Sequence, residues 1–205
     1  MDSKTQHGYL VLADISGYTG FVAQTELEHA HWAMSYLLET IVEKMGGALT
    51  IVNLEGDAIL AYGDATQLPQ GEAFVGLLDQ IYRAFRDRAE TLHQSTTCGC
   101  KACQALPTPD LKFLVHHGEF MRQQIAGIQD LLGSDVNLVH RLLKNRVAEV
   151  TGWRGYALFT RPGLERAHVD PQAFVPQREA YEHFGDVDTF VIDMHVRYVS
   201  RQAAE

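Results

Sequence analysis

Apolar residues recur along this chain in two rhythms, and the rhythms divide it into strands and helices. Residues 9–13 (Tyr-Leu-Val-Leu-Ala) are a short apolar run closed by Asp14, which reads as a buried strand. Ser16-Gly17-Tyr18-Thr19-Gly20 follows as a turn of small residues. From Leu27 to Met45, the apolar positions Leu27, Ala30, Met34, Leu37, Leu38, Ile41, Val42 and Met45 keep helical spacing, and Gly46-Gly47 stops the helix. Residues 48–53 and 58–62 are β-rich runs on either side of Leu54-Glu55-Gly56-Asp57, the pattern of a hairpin. Ala73, Leu77, Leu78, Ile81 and Phe85 predict a second amphipathic helix over about residues 71–92.

The second half repeats the alternation. Residues 93–110 carry three cysteines and two prolines and read as a loop. Residues 111–116 form a strand, with 118–128 as its hairpin partner, and 133–147 form a third helix. Residues 156–160 are a strand, and 161–167 a short helix opened by Pro162. Two further strand-like runs, 180–183 and 189–199, flank Gly185-Asp186. This order predicts an α+β, ferredoxin-like sandwich over residues 1–205, with a mostly antiparallel sheet and helices packed on one face.

Charge narrows the functional classes. The 17 basic residues against 26 acidic ones leave a net charge of −9, which argues against non-specific nucleic-acid binding. A small phosphate ligand stays open, since it needs only a local nest of N–H groups and a metal. The longest apolar runs, 9–13 and 58–62, are far short of the roughly 20 residues of a spanning helix. Residues 1–8 are polar, so no secretory signal is expected. Three cysteines within six residues suit a reducing, cytoplasmic setting better than a disulfide framework.

Asp14 ends a buried strand and Asp57 sits in a hairpin between two apolar strands. If those strands are neighbours, both carboxylates meet at one sheet edge and can hold a hard cation such as Mg²⁺. The turn after Asp14 would supply N–H groups to the phosphates that such a cation carries. Read on their own, the same residues are equally ordinary as a turn cap and a hairpin residue. His93, Cys98, Cys100 and Cys103 form a second cluster, with donor types that suit tetrahedral zinc; the alternative is a surface loop with free thiols. The spacing in Glu28-His29-Ala30-His31 gives no shared ligand face on a helix.

Four segments, in order, carry a resemblance. They are Leu10–Phe21 with Asp14-Ile15-Ser16-Gly17-Tyr18-Thr19, Glu55-Gly56-Asp57-Ala58-Ile59-Leu60-Ala61, Leu114-Val115-His116-His117-Gly118-Glu119, and Gly133-Ser134-Asp135-Val136-Asn137 continuing to Arg141-Leu142. Together they resemble the catalytic domains of the class III nucleotidyl cyclases, the adenylate and guanylate cyclases. The resemblance spans roughly residues 8–200, and the cysteine segment at about 93–110 is an insertion in it.

By that resemblance Asp14 and Asp57, with the Ile15 carbonyl, are the ligands of two Mg²⁺ or Mn²⁺ ions, and Gly17, Tyr18 and Thr19 cradle phosphates. Asn137 and Arg141 orient the ribose and stabilise charge on the α-phosphate; four apart on a helix, they share one face. Asn53 and Asp130 stand at the base-selecting positions. Asn53 accepts any base edge and Asp130 favours adenine, so the base stays open, with ATP first. The implied activity is conversion of a nucleoside triphosphate to a 3′,5′-cyclic nucleotide and pyrophosphate in a head-to-tail homodimer. Asp188 stands where the family carries a lysine on the triphosphate, and the nearest other cations are Lys144, Arg146 and Arg197. That departure supports an alternative, a catalytically silent homologue that binds a nucleotide or a protein. A structural Zn²⁺ on the cysteine segment would lie outside the catalytic constellation.

Overall fold

In the computed structural model, which describes residues 4–203, the apolar run at 9–13 lies within an eleven-residue strand, β1 (Gln6–Ser16). The first three and last two residues of the expected 1–205 unit lie outside the described range. A short helix α1 (Tyr18–Gln24) follows, then α2 (Leu27–Gly46), the hairpin β2 (Thr50–Glu55) and β3 (Ala58–Gly63), and the long α3 (Glu72–Ser95). Helix α4 (Lys101–Ala105), strands β4 (Asp110–Ile125) and β5 (Ile128–Leu132), and helices α5 (Ser134–Leu142) and α6 (Val147–Thr151) come next. The chain ends with β6 (Tyr156–Thr160), α7 (Arg161–Arg166), β7 (Val175–Tyr181), β8 (Gly185–Asp193) and α8 (Met194–Gln202).

The sheet runs β2-β3-β1-β4-β6-β8-β7, with β5 paired to β4. Every pairing is antiparallel except β4 with β6. This is the expected α+β architecture. β1 lies near the middle because it has a partner on each side and apolar side chains on both faces. Tyr9, Val11, Ala13 and Ile15 pack on the face that carries α2 and α3, against residues such as Leu37, Ile41, Leu78 and Phe85. Leu10 and Leu12 pack on the opposite face with Val136, Val139 and Leu142 of α5. Helices therefore cover both faces, not one: α2 and α3 pack on one and α5 on the other.

Several boundaries differ from the sequence expectation, each for a local reason. Residues 111–125 form one continuous strand; β1 pairs with its first half and β5 with its second. The hairpin turn is Ala126-Gly127, both at positive φ (51° and 84°), a turn usually announced by Asn-Gly. The expected helix at 133–147 breaks at Asn145, whose amide donates to Leu142 O at 2.7 Å and whose oxygen accepts from Val147 N–H at 2.9 Å. Residues 194–199, expected as strand, are helical, because Asp193 caps them by accepting from Val196 N–H at 2.9 Å. Two arginines of that helix, Arg197 and Arg201, both grip the buried Asp79 of α3. Residues 93–110 are more ordered than a loop: α3 continues to Ser95, and Cys100 caps α4.

Gly118 seats α5 against the sheet. Asp135, in the first turn of α5, accepts from Glu119 N–H at 2.6 Å, and its carboxylate fills the space where a Gly118 side chain would stand. Gly118→Ala is expected to lower stability by about 1–3 kcal/mol, read as a lower urea midpoint at unchanged slope. Gly76→Ala, inside α3 with open space around it, is expected to raise stability by up to about 1 kcal/mol.

Candidate functional site

The β1–β3 register determines where the acids lie. Asp14 pairs with Ala58 on one side and Lys112 on the other. Asp57 immediately precedes Ala58, at the end of a hairpin turn that Gly56 makes with φ 65°. Asp14 and Asp57 therefore open into one cleft of about 280 Å³, lined also by Ile15, Gly17, Tyr18, Thr19 and Lys112. Lys112 Nζ lies 2.9 Å from Asp14 Oδ2, and both side chains are largely buried. Burial, reinforced by the negative charge of Asp14 and partly offset by Lys112, pushes the Asp57 carboxyl up to about 6. Two carboxylates against one ammonium leave the cleft short of positive charge, so its donor set fits a hard divalent cation. Lys112 is the site residue that the sequence reading missed; its signal was a lone cation in an otherwise apolar stretch facing Asp14 across a strand pair.

The small-residue turn becomes the entry to α1. Gly17 adopts φ 89°. Arg154 braces it from outside: Ser16 Oγ donates to Arg154 O at 2.8 Å, and the guanidinium donates to Ser16 O at 3.3 Å. A side chain at Gly17 would collide with that guanidinium. Tyr18 and Thr19 open the helix, so their N–H groups lack intrahelical partners at the cleft.

Asn137 and Arg141 do not line this cleft. They lie exposed on α5 and line a separate groove of about 740 Å³ with His140, Lys144, His183 and Phe184. Leu143, just past the end of α5, instead lines the acidic cleft. Helix α5 therefore separates the groove from the cleft. Of the three cations noted near the motifs, Lys144 faces the groove, Arg146 contacts Glu179, and Arg197 is held by Asp79. Asp188 is gripped by Arg161 at 3.1 Å and Arg178 at 3.1 Å, and the Arg161 hydrogen bond above all holds its carboxyl below the usual range. Its charge is neutralised on the β7–β8 ribbon, and it does not line the groove.

Asn53 and Asp130 meet across β2 and β5, with Asn53 Nδ2 donating to Asp130 Oδ1 at 3.5 Å and to Glu55 Oε1 at 3.1 Å. Asn53 Oδ1 is buried with no partner among the described residues. Asp130 also lines a pocket of about 410 Å³ with Tyr62, Met121 and Leu131.

The cysteine cluster assembles with a different histidine from the one expected. His93 Nδ1 lies 3.0 Å from the Cys103 carbonyl and is not among the clustered ligand atoms. The imidazole that joins Cys98, Cys100 and Cys103 is that of His29, on the first turn of α2. No short-range spacing could link it to cysteines some 70 residues away; the packing of α4 against α2 does. No helix among the described residues is long and apolar enough to cross a membrane.

Residues 34–151 match a family described as "Protein of unknown function (DUF2652)". The uncharacterized protein Rv2561/Rv2562 of Mycobacterium tuberculosis is 35% identical over 117 residues, 56% of this chain and 52% of the relative. The chain thus spans about half the length of that curated relative. Among solved structures, the guanylyl cyclase Cya2 aligns with a TM-score of 0.72 at 16% identity, over 93% of both chains. A bacterial light-regulated adenylyl cyclase aligns at 0.69 and 13% identity, over 100% of this chain and 60% of that one. The fold is that of adenylyl and guanylyl cyclase domains.

The raised Asp57 carboxyl has a thermodynamic consequence. Between about pH 4 and 6 the folded chain keeps a proton on Asp57 that the unfolded chain has released, so metal-free stability contributed there falls as pH rises. Asp57→Asn has no proton to lose. In chelator, its Tm minus that of the unsubstituted protein is expected to grow from pH 4 to 7; a constant difference would contradict the assignment.

Proposed function

This chain belongs to the DUF2652 family, and from that family and its fold we propose that it is a nucleotidyl cyclase-like enzyme of the cytoplasm. It converts a nucleoside triphosphate, ATP first, to the 3′,5′-cyclic nucleotide and pyrophosphate, with residues 1–205 acting as one such domain and the cysteine segment as an insertion. The observation that carries this reading is the pair of half-sites on one chain. The acidic cleft holds Asp14 and Asp57, the groove holds Asn137 and Arg141, and α5 keeps them apart. A head-to-tail homodimer sets the cleft of one protomer against the groove of the other and completes two equivalent sites.

The Asp14 and Asp57 carboxylates and the Ile15 carbonyl would hold two Mg²⁺ or Mn²⁺ ions, whose chemistry is to acidify the ribose 3′-hydroxyl and offset phosphate charge. The N–H groups of Gly17, Tyr18 and Thr19 hold the β- and γ-phosphates. Lys112 faces the same cleft and supplies the cation that position 188 does not. Asn137 orients the ribose. The planar Arg141 fork neutralises charge on the α-phosphate oxygens as the 3′-oxygen adds to phosphorus and the bond to pyrophosphate breaks. Asp130 would accept from the amino group of adenine, while Asn53, whose amide is held against Asp130 and Glu55, leaves the base otherwise open. The absence of a lysine at position 188 favours the second reading, a silent homologue that binds nucleotide without turnover.

Purified protein with Mn²⁺ and ATP, GTP, CTP or UTP is expected to yield cyclic AMP, seen by mass spectrometry. Asp57→Ala and Asn137→Ala are each expected to be inactive. Mixed in equal amounts they are expected to regain up to about a quarter of the unsubstituted activity, since half the dimers are mixed and each has one intact site. No recovery from folded variants would remove the shared site. Nucleotide binding without product from any triphosphate would establish the silent reading.

A further inference from the structure

The cysteine segment and His29 take no part in the cleft or the groove, yet four soft donors from two distant stretches converge. His29 Nδ1 lies 3.0 Å from Cys100 Sγ, 3.5 Å from Cys98 Sγ and 3.6 Å from Cys103 Sγ. All four ligand atoms lie within 4.8 Å of one another. One ring nitrogen carries at most one proton, so it can donate to only one of three sulfurs. A cation shared by all four satisfies every contact at once. In a tetrahedral site with nitrogen at about 2.0–2.1 Å and sulfur at about 2.3 Å from the ion, the N···S edge is about 3.6 Å. The separations to Cys98 and Cys103, 3.5 and 3.6 Å, match that edge, and the 3.0 Å to Cys100 is shorter than it.

Neighbouring groups orient the sulfurs. Cys103 N–H points at Cys100 Sγ at 3.5 Å, and Thr96 Oγ1 donates to Cys103 Sγ at 3.4 Å. Both are donors to sulfur, as expected around thiolates that ligate a metal. Glu26, one turn before His29, accepts from Ala102 N–H at 3.1 Å, so a second contact joins the same two segments. The mixed nitrogen and thiolate set selects a borderline-soft, tetrahedral ion over Mg²⁺ or Ca²⁺.

We propose that His29 Nδ1 and the thiolates of Cys98, Cys100 and Cys103 bind one structural Zn²⁺, which clips residues 96–105 onto the first turn of α2. The ion ties the insertion to the α1–α2 corner, directly after the turn that lines the acidic cleft. The site is independent of turnover, and its test does not use activity.

Full-length reduced protein, offered Zn²⁺ alone and then desalted, is expected to retain about one zinc per chain by elemental analysis. His93→Ala and Asp57→Asn are expected to keep it, while His29→Ala and Cys103→Ser fall below about a tenth. Chelation is expected to lower Tm by several degrees in the unsubstituted protein and not in Cys103→Ser. Co²⁺ in place of zinc is expected to give tetrahedral d–d bands with thiolate charge transfer. If His29→Ala fails to fold, His29→Cys keeps four ligands, and the charge-transfer intensity is expected to rise by about a third as three thiolates become four. Zinc retained by folded His29→Ala, zinc lost from His93→Ala, an unchanged spectrum in His29→Cys, or reduced protein that takes up no zinc would each overturn the site.

Discussion

Two carboxylates crowded at the edge of a central sheet, with one lysine between them and neutrality, govern the chemistry of this molecule. Burial alone would favour leaving Asp57 protonated, and Asp14 beside it adds to that pressure. Lys112 relieves part of it by pairing with Asp14. What remains is a deficit of positive charge in a cleft whose other wall is a glycine turn braced by Arg154. A hard divalent cation is the kind of group that such a donor set accommodates.

The crowding depends on register. Asp14 meets the β2–β3 turn because β1 pairs with β3 at Asp14–Ala58, and a slip of one residue would turn its side chain to the other face. That register is held by alternating apolar residues on both faces of β1, so the core and the site depend on one another. The same strand seats α5 through Leu10 and Leu12. Helix α5 in turn presents Asn137 and Arg141 to a groove and Leu143 to the cleft. One helix therefore both completes the core and divides the candidate chemistry between two openings.

Charge elsewhere is arranged so that it stays out of that chemistry. Asp188 would repel a triphosphate if it were free, but Arg161 and Arg178 hold it on the β7–β8 ribbon. Asp79 occupies Arg197 and Arg201 while tying α8 to α3. The thiol cluster stands apart again. It brings residues 98–103 against α2 through donor atoms that the acidic cleft, which suits hard cations, does not need.

The chain's own pattern determined the elements near the site: the buried strand carrying Asp14, the hairpin around Asp57, and the helix carrying Asn137 and Arg141. Each rests on local periodicity and turn chemistry, which contiguous residues encode. Boundaries were less legible where a distant partner decided them. β4 runs through Gly118 because Gly8 of β1 pairs with it and Asp135 meets it there, and residues 194–199 are helical because Asp193 caps them and Asp79 holds Arg197. Only the tertiary structure set Lys112 against Asp14, separated the cleft from the groove across α5, and brought His29 rather than His93 among the sulfurs. Those facts are distances between segments far apart in the chain. Such distances follow from how sheet and helices pack, and no spacing along the sequence records them.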